Sequence, residues 1–137
     1  MPENPNPALF ETTIQVRISD LNYGAHLGIP NLSQILHNTR AMYMRSLGVS
    51  EIDCFGSRIV LVSQTVNCHQ ETLFGDKLNI SIHFIEKIKA KIKLKYKVTN
   101  IKTEKVVSDS EETILFLNTK NNSLTKPPEE LLRILGA

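Results

Sequence analysis

Apolar and polar residues alternate along several stretches of the chain. In the first stretch, every second residue from Phe10 to Ile18 is apolar or β-branched and the residues between them are polar, which is typical of a half-buried strand. Four more strands are predicted, at 58–68, 78–84, 88–98 and 105–118, and the second and third of these show the same alternation. The segment LFGDK, with Gly75 and Asp76, predicts a turn between the first two of these four strands.

One segment, PNLSQILHNTRAMYMRSLG, follows a helical period instead. Its apolar face comprises Leu32, Ile35, Leu36, Thr39, Met42, Tyr43, Ser46 and Leu47. Met44 lies off this face, and Gly48 is expected to end the helix at the C′ position. A second, short helix is predicted at 127–135 after two prolines. Residues 1–8 contain three prolines and are predicted to be a flexible lead-in.

The order of the predicted elements defines a fold class. A strand and a long helix come first, and four strands with short connections follow, which favours antiparallel pairing. The helix can bury its apolar face only against the sheet. We therefore predict an α+β fold in which an antiparallel sheet wraps around one long central helix. The 137 residues contain no internal repeat, so a single domain, 1–137, is expected.

Composition excludes several classes of partner. A net charge of +2, 6% aromatic residues and no tryptophan argue against a nucleic-acid-binding protein. The sequence has no apolar segment of membrane-spanning length and no signal-peptide pattern at MPENPNPALF. Cys54 and Cys68 do not form a zinc-binding pattern, and no metal site is predicted. Two free thiols are typical of a reducing compartment, so a cytoplasmic protein is expected.

The loop DLNYGAHLGIPN, between the first strand and the helix, concentrates polar residues and glycines. One interpretation is ordinary turn chemistry, in which Asp20 and Asn22 bond to nearby backbone N–H groups and His26 is structural. The other is an active site. Backbone N–H groups at a helix N-terminus polarise a carbonyl group, Gly28 permits close approach, and the imidazole of His26 is the best candidate for a base.

The segment from 16 to 51 resembles the first strand, loop and helix of hotdog-fold acyl-CoA thioesterases of the 4-hydroxybenzoyl-CoA thioesterase type. The turn LFGDKLNI is similar to the Gly-Asp turn of these proteins, and the order of elements agrees from about 10 to 116. Asp20 and His26 match the family's loop, but Asn22 occupies the position of its usual catalytic carboxylate. Asn38 likewise occupies the helix position of a Glu in the family's Glu-x-Arg pattern.

This resemblance implies an acyl thioesterase that hydrolyses an acyl-CoA or related acyl thioester, with CoA as part of the substrate and no separate cofactor. The implied site lies between two protomers of a homodimer or of a dimer of dimers, a homotetramer. His26 would transfer the proton, Asn22 and Asn38 would position water or the thioester oxygen, and Asp20 would orient His26. The implied catalytic residues are thus Asn22, His26, Asp20 and Asn38, and the substrate-binding residues are Tyr23, Gly28, Ser63, Gln64 and Thr65.

Two other functions fit the same fold. Without the usual carboxylates, the protein is alternatively a non-catalytic acyl-thioester binder, since an amide cannot take a proton from water at neutral pH. A hydratase or dehydratase is the second alternative, although its usual acid–histidine pair has no clear match here. Six lysines alternate from Lys87 to Lys97 and indicate either a solvated sheet face or a surface that attracts CoA or an acidic carrier protein.

Overall fold

The computed structural model describes residues 7–137. Its strands are β1 (Ala8–Gln15), β2 (Ser57–Cys68), β3 (Lys77–Ile88), β4 (Lys91–Asn100), β5 (Val106–Asn118) and β6 (Leu124–Thr125). The helices are α1 (Ile29–Ser46) and α2 (Glu129–Leu135), and a short 3-10 turn covers Ile18–Asp20. The five long strands form one antiparallel sheet in the order β1-β3-β4-β5-β2, and β6, which was not predicted, pairs with β5.

The sheet and α1 enclose the hydrophobic core. Leu32, Leu36 and Tyr43 on α1 are buried together with the alternating apolar residues of β3, β4 and β5. The ring of Tyr43 packs against that of Phe10 on β1, with 5.6 Å between the ring centroids. A long helix cradled by an antiparallel sheet is the predicted hotdog architecture, so the expected fold class is confirmed.

The apolar face of α1 differs from the prediction at its C-terminal end. Met44 is buried, whereas Met42 is 40% exposed. Arg40, a charged residue, also lies on the buried face. The helix nevertheless ends as expected, because Gly48 adopts φ = 81° and the N–H group of Val49 donates to the carbonyl of Met44.

The first strand is displaced from its predicted position. β1 begins at Ala8, inside the expected lead-in, of which residues 1–6 lie outside the described part of the chain. The strand ends at Gln15 rather than near Ile18, which is 67% exposed. The cause is the 3-10 turn, which the carboxylate of Asp20 closes by accepting a hydrogen bond from the backbone N–H of Arg17 at 2.8 Å.

The lysine-rich run is not one strand. β3 continues to Ile88, and a tight hairpin at Lys89 and Ala90 leads into β4. Lys89 has φ = 55°, the left-handed conformation that tight hairpin turns require. Within residues 7–137, neither α1 nor α2 combines the length and the apolar character that a membrane crossing needs.

Candidate active site

Asn22 organises the loop that precedes α1. Its side-chain oxygen accepts hydrogen bonds from the backbone N–H groups of Gly24, at 3.0 Å, and of His26, at 3.2 Å. Its own backbone N–H donates to the carbonyl of His26 at 2.7 Å. This is the turn chemistry expected of an Asx residue. Asn22 therefore fixes the backbone of His26, whatever else it contacts.

Gly28 is the residue that caps the N-terminus of α1. A Cβ atom at this position would lie 2.9 Å from the side-chain nitrogen of Asn22, closer than real Cβ contacts allow. Pro30, in the first turn, has no N–H group, so the amides of Ile29 and Asn31 are the first-turn donors. Because Gly28 has no side chain, the side chain of Asn22 can lie against the N-terminus of α1. A helix N-terminus is a place where a carbonyl oxygen can be bound.

Gly28→Ala is expected to displace the side chain of Asn22 and so disturb the loop. Because Asn22 is held by two hydrogen bonds, its side chain cannot simply swing away, and we expect a loss of about 1 kcal/mol of stability. Thioester hydrolysis should fall at least about tenfold, since positioning is lost. Gly24→Ala is the control, because its nearest contact would be 3.4 Å, and its effect on both measurements should be smaller.

Asp20 does not orient His26. Its carboxylate pairs with the guanidinium of Arg17 at 3.1 Å, while its backbone carbonyl accepts a 2.6 Å hydrogen bond from the side chain of Asn31. Burial alone would raise the pKa of Asp20, but the hydrogen bonds from Arg17 outweigh it and hold the pKa below its usual value. Asp20 is an ionised residue that closes the 3-10 turn and tethers the start of α1.

The carboxylate that contacts His26 belongs to Glu71. The Nδ1 atom of His26 contacts Oε1 of Glu71, on the connection between β2 and β3. The two loops are also joined by their backbones, since the N–H of Leu27 donates to the carbonyl of Thr72 at 3.1 Å. No local pattern in the sequence identifies Glu71, because it meets His26 only through the folding of the sheet.

Asn38 lies on α1, ten positions after Gly28. It lines a cleft of about 500 Å³ between the end of β1 and the exposed side of α1. The other lining residues are Ile14, Gln15, Arg17, Ser19, Asp20, Asn31, Gln34 and Ile35. Asn22 and His26 are not among them, so Asn38 and Asn22 do not line one common cleft.

The candidate binding residues on β2 face two sides of the sheet. Gln64 points to the inner side, where the hydroxyl of Ser33 on α1 donates to its side-chain oxygen. Ser63 lies on the outer side, in a depression of about 230 Å³ that Lys91 and Lys93 also line. Thr65, which alternation places on the same side as Ser63, is opposite Glu111 on β5. Only Gln64 of the three is thus directed toward α1.

Two further predicted features lie at the surface. Tyr23 is fully exposed at the tip of the loop. The lysines of β4 face carboxylates on β5, because Lys95 is opposite Glu111 and Lys97 is opposite Asp109. The basic face is thus partly neutralised along β5 and remains most basic at the β3–β4 hairpin. Within residues 7–137 no group of His, Cys, Asp and Glu side chains is arranged to hold a metal ion.

A buried charge cluster, which the sequence did not indicate, lies beneath α1. Arg40 pairs with Glu112 on β5 at 2.8 Å and with Glu51 at 2.7 Å. The hydroxyl of Tyr96 donates to the same oxygen of Glu112. Burial lowers the pKa of Arg40, but the charges of Glu112 and Glu51 raise it above the usual value. The cluster joins the middle of α1 to the centre of the sheet.

The antiparallel sheet around one long central helix defines a hotdog protein, and the loop before that helix is its candidate site. The model of the thioesterase-like superfamily matches residues 16–135. This protein therefore belongs to the thioesterase-like superfamily. A search of curated proteins finds none that matches.

Solved structures share the fold at low sequence identity. The 1,4-dihydroxy-2-naphthoyl-CoA thioesterase from Synechocystis has a TM-score of 0.81 at 12% identity, over 93% of this chain and 95% of its own. A hypothetical protein from Staphylococcus aureus in complex with CoA has a TM-score of 0.83 at 14% identity, over 99% and 86%. The 12:0-ACP thioesterase from Umbellularia californica has a TM-score of 0.76 at 15% identity, over 93% and 49%. These similarities establish the hotdog fold.

Proposed function

We propose that this protein is a thioester hydrolase whose substrate is an acyl-CoA or a related carrier-bound acyl thioester. The position of His26 carries this proposal. It lies two residues before Gly28, which caps α1, so an imidazole base and the N–H donors of a helix N-terminus are provided by one short loop. Membership of the thioesterase-like superfamily supports the same reaction.

In the proposed reaction, the first-turn amides of α1 bind the thioester carbonyl oxygen beside Gly28. His26 takes a proton from water while the water oxygen forms a bond to the carbonyl carbon. The C–S bond then breaks, and the imidazolium returns the proton to the leaving thiolate. Asn22, from the loop, and Asn38, from its cleft, are proposed to orient the water or the thioester oxygen. The products are a carboxylic acid and a free thiol.

The nature of the carrier is also a proposal. Structures with this fold include a protein bound to CoA and a thioesterase for an acyl carrier protein, so both carriers fit the fold. Lysines at the β3–β4 hairpin, such as Lys91, would attract the phosphates of CoA or an acidic carrier protein. Cys54 and Cys68 are both free thiols, which fits the proposed cytoplasmic location.

A homodimer, alone or as half of a homotetramer, is proposed to form along β2. This strand lies at the edge of the sheet, is twelve residues long and carries the exposed apolar side chains of Leu61 and Val62. The unpaired backbone N–H and C=O groups of a long edge strand with exposed apolar side chains can pair with a strand of a second protomer. β1, at the other edge, has only eight residues.

Val62→Glu is expected to weaken the dimer at least about tenfold, since it places two negative charges near each other across a symmetric interface. Sedimentation velocity across a range of protein concentrations measures the dissociation constant. Thr13→Glu, on β1 at the opposite edge, is the control and should leave it unchanged. An unaltered dissociation constant for Val62→Glu would place the interface elsewhere.

Hydrolysis of a panel of acyl thioesters tests the proposed function. The panel contains short, medium and long aliphatic acyl-CoAs, an aromatic acyl-CoA and an acyl carrier protein, with released thiol measured continuously. We expect turnover on the order of 1 s⁻¹ or faster for at least one substrate. The exposed Cys68 reacts with thiol reagents, so the Cys68→Ser variant supplies the background control.

The replacement of the usual carboxylate by Asn22 favours a second candidate, a binder of acyl thioesters without turnover. Calorimetry with a non-hydrolysable acyl-CoA thioether distinguishes the two. Saturable binding without hydrolysis of any member of the panel would support the binder and refute the hydrolase. If the protein neither binds nor hydrolyses an acyl thioester, the loop has only its structural role.

A further inference from the structure

We infer that Glu71 is a positioning residue for His26, holding the imidazole with its proton on Nδ1 and leaving Nε2 as the basic nitrogen. The inference rests on the proposed thioester hydrolysis. It deepens that proposal by naming the carboxylate that works with His26 in a loop where Asn22 replaces the family's usual acid.

The contact itself assigns the tautomer. The Nδ1 atom of His26 meets Oε1 of Glu71. An ionised carboxylate only accepts hydrogen bonds, so Nδ1 must carry the proton that is donated to it. A neutral imidazole has one N–H group, and the lone pair is therefore on Nε2. The two side chains are 46% and 57% exposed, so the imidazole remains accessible to a substrate.

Both partners of this contact are held by backbone hydrogen bonds. On one side, Asn22 bonds to the N–H and to the carbonyl of His26. On the other side, the connection that carries Glu71 is fixed where the N–H of His69 donates to the carbonyl of Val107, at 2.8 Å. The hydrogen bond from the N–H of Leu27 to the carbonyl of Thr72 joins the loop of His26 to this connection.

The connection is anchored again beyond Glu71. The N–H of Gly75 donates to the carbonyl of Val16, and the N–H of Val16 donates to the carbonyl of Asp76, both at 2.9 Å. The carboxylate of Asp76 in turn accepts a hydrogen bond from the N–H of Leu73. Glu71 thus projects from a segment bonded to the rest of the domain before and after it.

The space around the ring supports the same assignment. A Cβ atom at Gly24 would lie 3.4 Å from Cδ2 of His26, the carbon next to Nε2. Gly24 therefore borders the edge of the imidazole that bears Nε2 and adds no side chain there. While Nδ1 is occupied by Glu71, Nε2 is the nitrogen of this half-exposed ring that is left to accept a proton from water.

A second exposed histidine–carboxylate pair provides a matched control. Nε2 of His69 lies 2.5 Å from Oδ2 of Asp109, and these side chains are 47% and 36% exposed. Asp109 lies on β5, opposite Lys97 of β4. Asp109→Asn removes a contact of the same chemistry and similar exposure, between β5 and the start of the β2–β3 connection. Because the connection is still held there by the backbone hydrogen bond from His69 to Val107, the variant should affect neither the imidazole of His26 nor hydrolysis.

The experiment combines nitrogen NMR with kinetics on the full chain. The ¹⁵N shifts of the His26 ring, recorded at alkaline pH where the imidazole is neutral, report which nitrogen carries the proton. We expect Nδ1–H in the native protein and a return toward the Nε2–H form of free histidine in Glu71→Ala. The return should be smaller in Glu71→Gln, whose amide oxygen can still accept a hydrogen bond from Nδ1. With the best thioester of the panel, kcat should fall at least about tenfold with little change in KM. Glu71→Asp should recover part of the loss.

The outcomes separate this inference from the function on which it rests. Native His26 with its proton on Nε2 would overturn the inference, and so would a kcat that Glu71→Ala leaves unchanged in an active enzyme. A native Nδ1–H tautomer that depends on Glu71, in a protein that hydrolyses no thioester, would refute the proposed hydrolase and retain the pairing. If Asp109→Asn and Glu71→Gln lowered kcat equally, the loss would follow from removing any exposed carboxylate. That result would overturn the positioning role of Glu71.

Discussion

His26→Ala is expected to lower kcat for thioester hydrolysis by about 10²- to 10³-fold, with a much smaller change in KM. The proposed role of the imidazole is to take the proton from the attacking water, and alanine offers no group that can do so. The loss corresponds to about 3–4 kcal/mol of transition-state stabilisation. Steady-state kinetics on the best acyl thioester of the panel measures it.

The fold should survive this substitution, because the ring of His26 is 46% exposed and its backbone is held by Asn22. Circular dichroism and the thermal midpoint of His26→Ala should match those of the native protein. His69→Ala removes a histidine of similar exposure from the start of the β2–β3 connection, keeps the backbone hydrogen bond to Val107 and should retain full kcat. A His26→Ala enzyme with native kcat would show that the base is another group.

Much of this protein follows from local sequence patterns. Strands with one buried face alternate in hydrophobicity, so β2 and β5 were located to within one residue. The loop at the start of α1 was also recognisable, since Asn22, His26 and Gly28 are close in sequence and a helix start is a local signal. The bonds from Asn22 to the backbone are the Asx-type turn that its residue type favours.

The partners of the site residues were not predictable from those patterns. Asp20, six positions before His26, was the nearest acid in the sequence, but it bonds to Arg17 three positions away. Glu71 is brought to His26 only because β1 pairs with β3, which places the β2–β3 connection beside the loop before α1. Contacts of this kind depend on topology, which a period of two or 3.6 residues does not encode.

The buried charge cluster was not predictable either, because its contacts also depend on topology. The helical period places Arg40 next to Thr39 and Tyr43, on a face otherwise made of apolar and small polar residues. Its burial is tolerated only because β5 presents Glu112 at that point of the sheet, and nothing in the local sequence of either element shows that they meet. Together with Glu51 and Tyr96, they form the charge cluster that joins α1 to the sheet.

Glu112→Ala is expected to reduce the free energy of unfolding by about 3–5 kcal/mol, the largest stability effect that we predict for this chain. The side chains of Arg40 and Glu112 are 3% and 0% exposed. Removing the carboxylate leaves a buried guanidinium whose charge is compensated by Glu51 alone, and it leaves the hydroxyl of Tyr96 without the acceptor to which it donates. Urea unfolding at one fixed protein concentration measures the change.

The neighbouring residue gives the control for this prediction. Glu111→Ala removes an exposed carboxylate from the other side of β5, opposite Lys95, and should change stability by less than about 0.5 kcal/mol. If the buried pair stabilises α1 on the sheet mainly by mutual neutralisation, the double variant Arg40→Met with Glu112→Leu should be more stable than Glu112→Ala, since no buried guanidinium then remains unpaired. A double variant as unstable as Glu112→Ala would instead assign the loss to groups that have lost a partner, which are the hydroxyl of Tyr96 in both proteins and the carboxylate of Glu51 in the double variant.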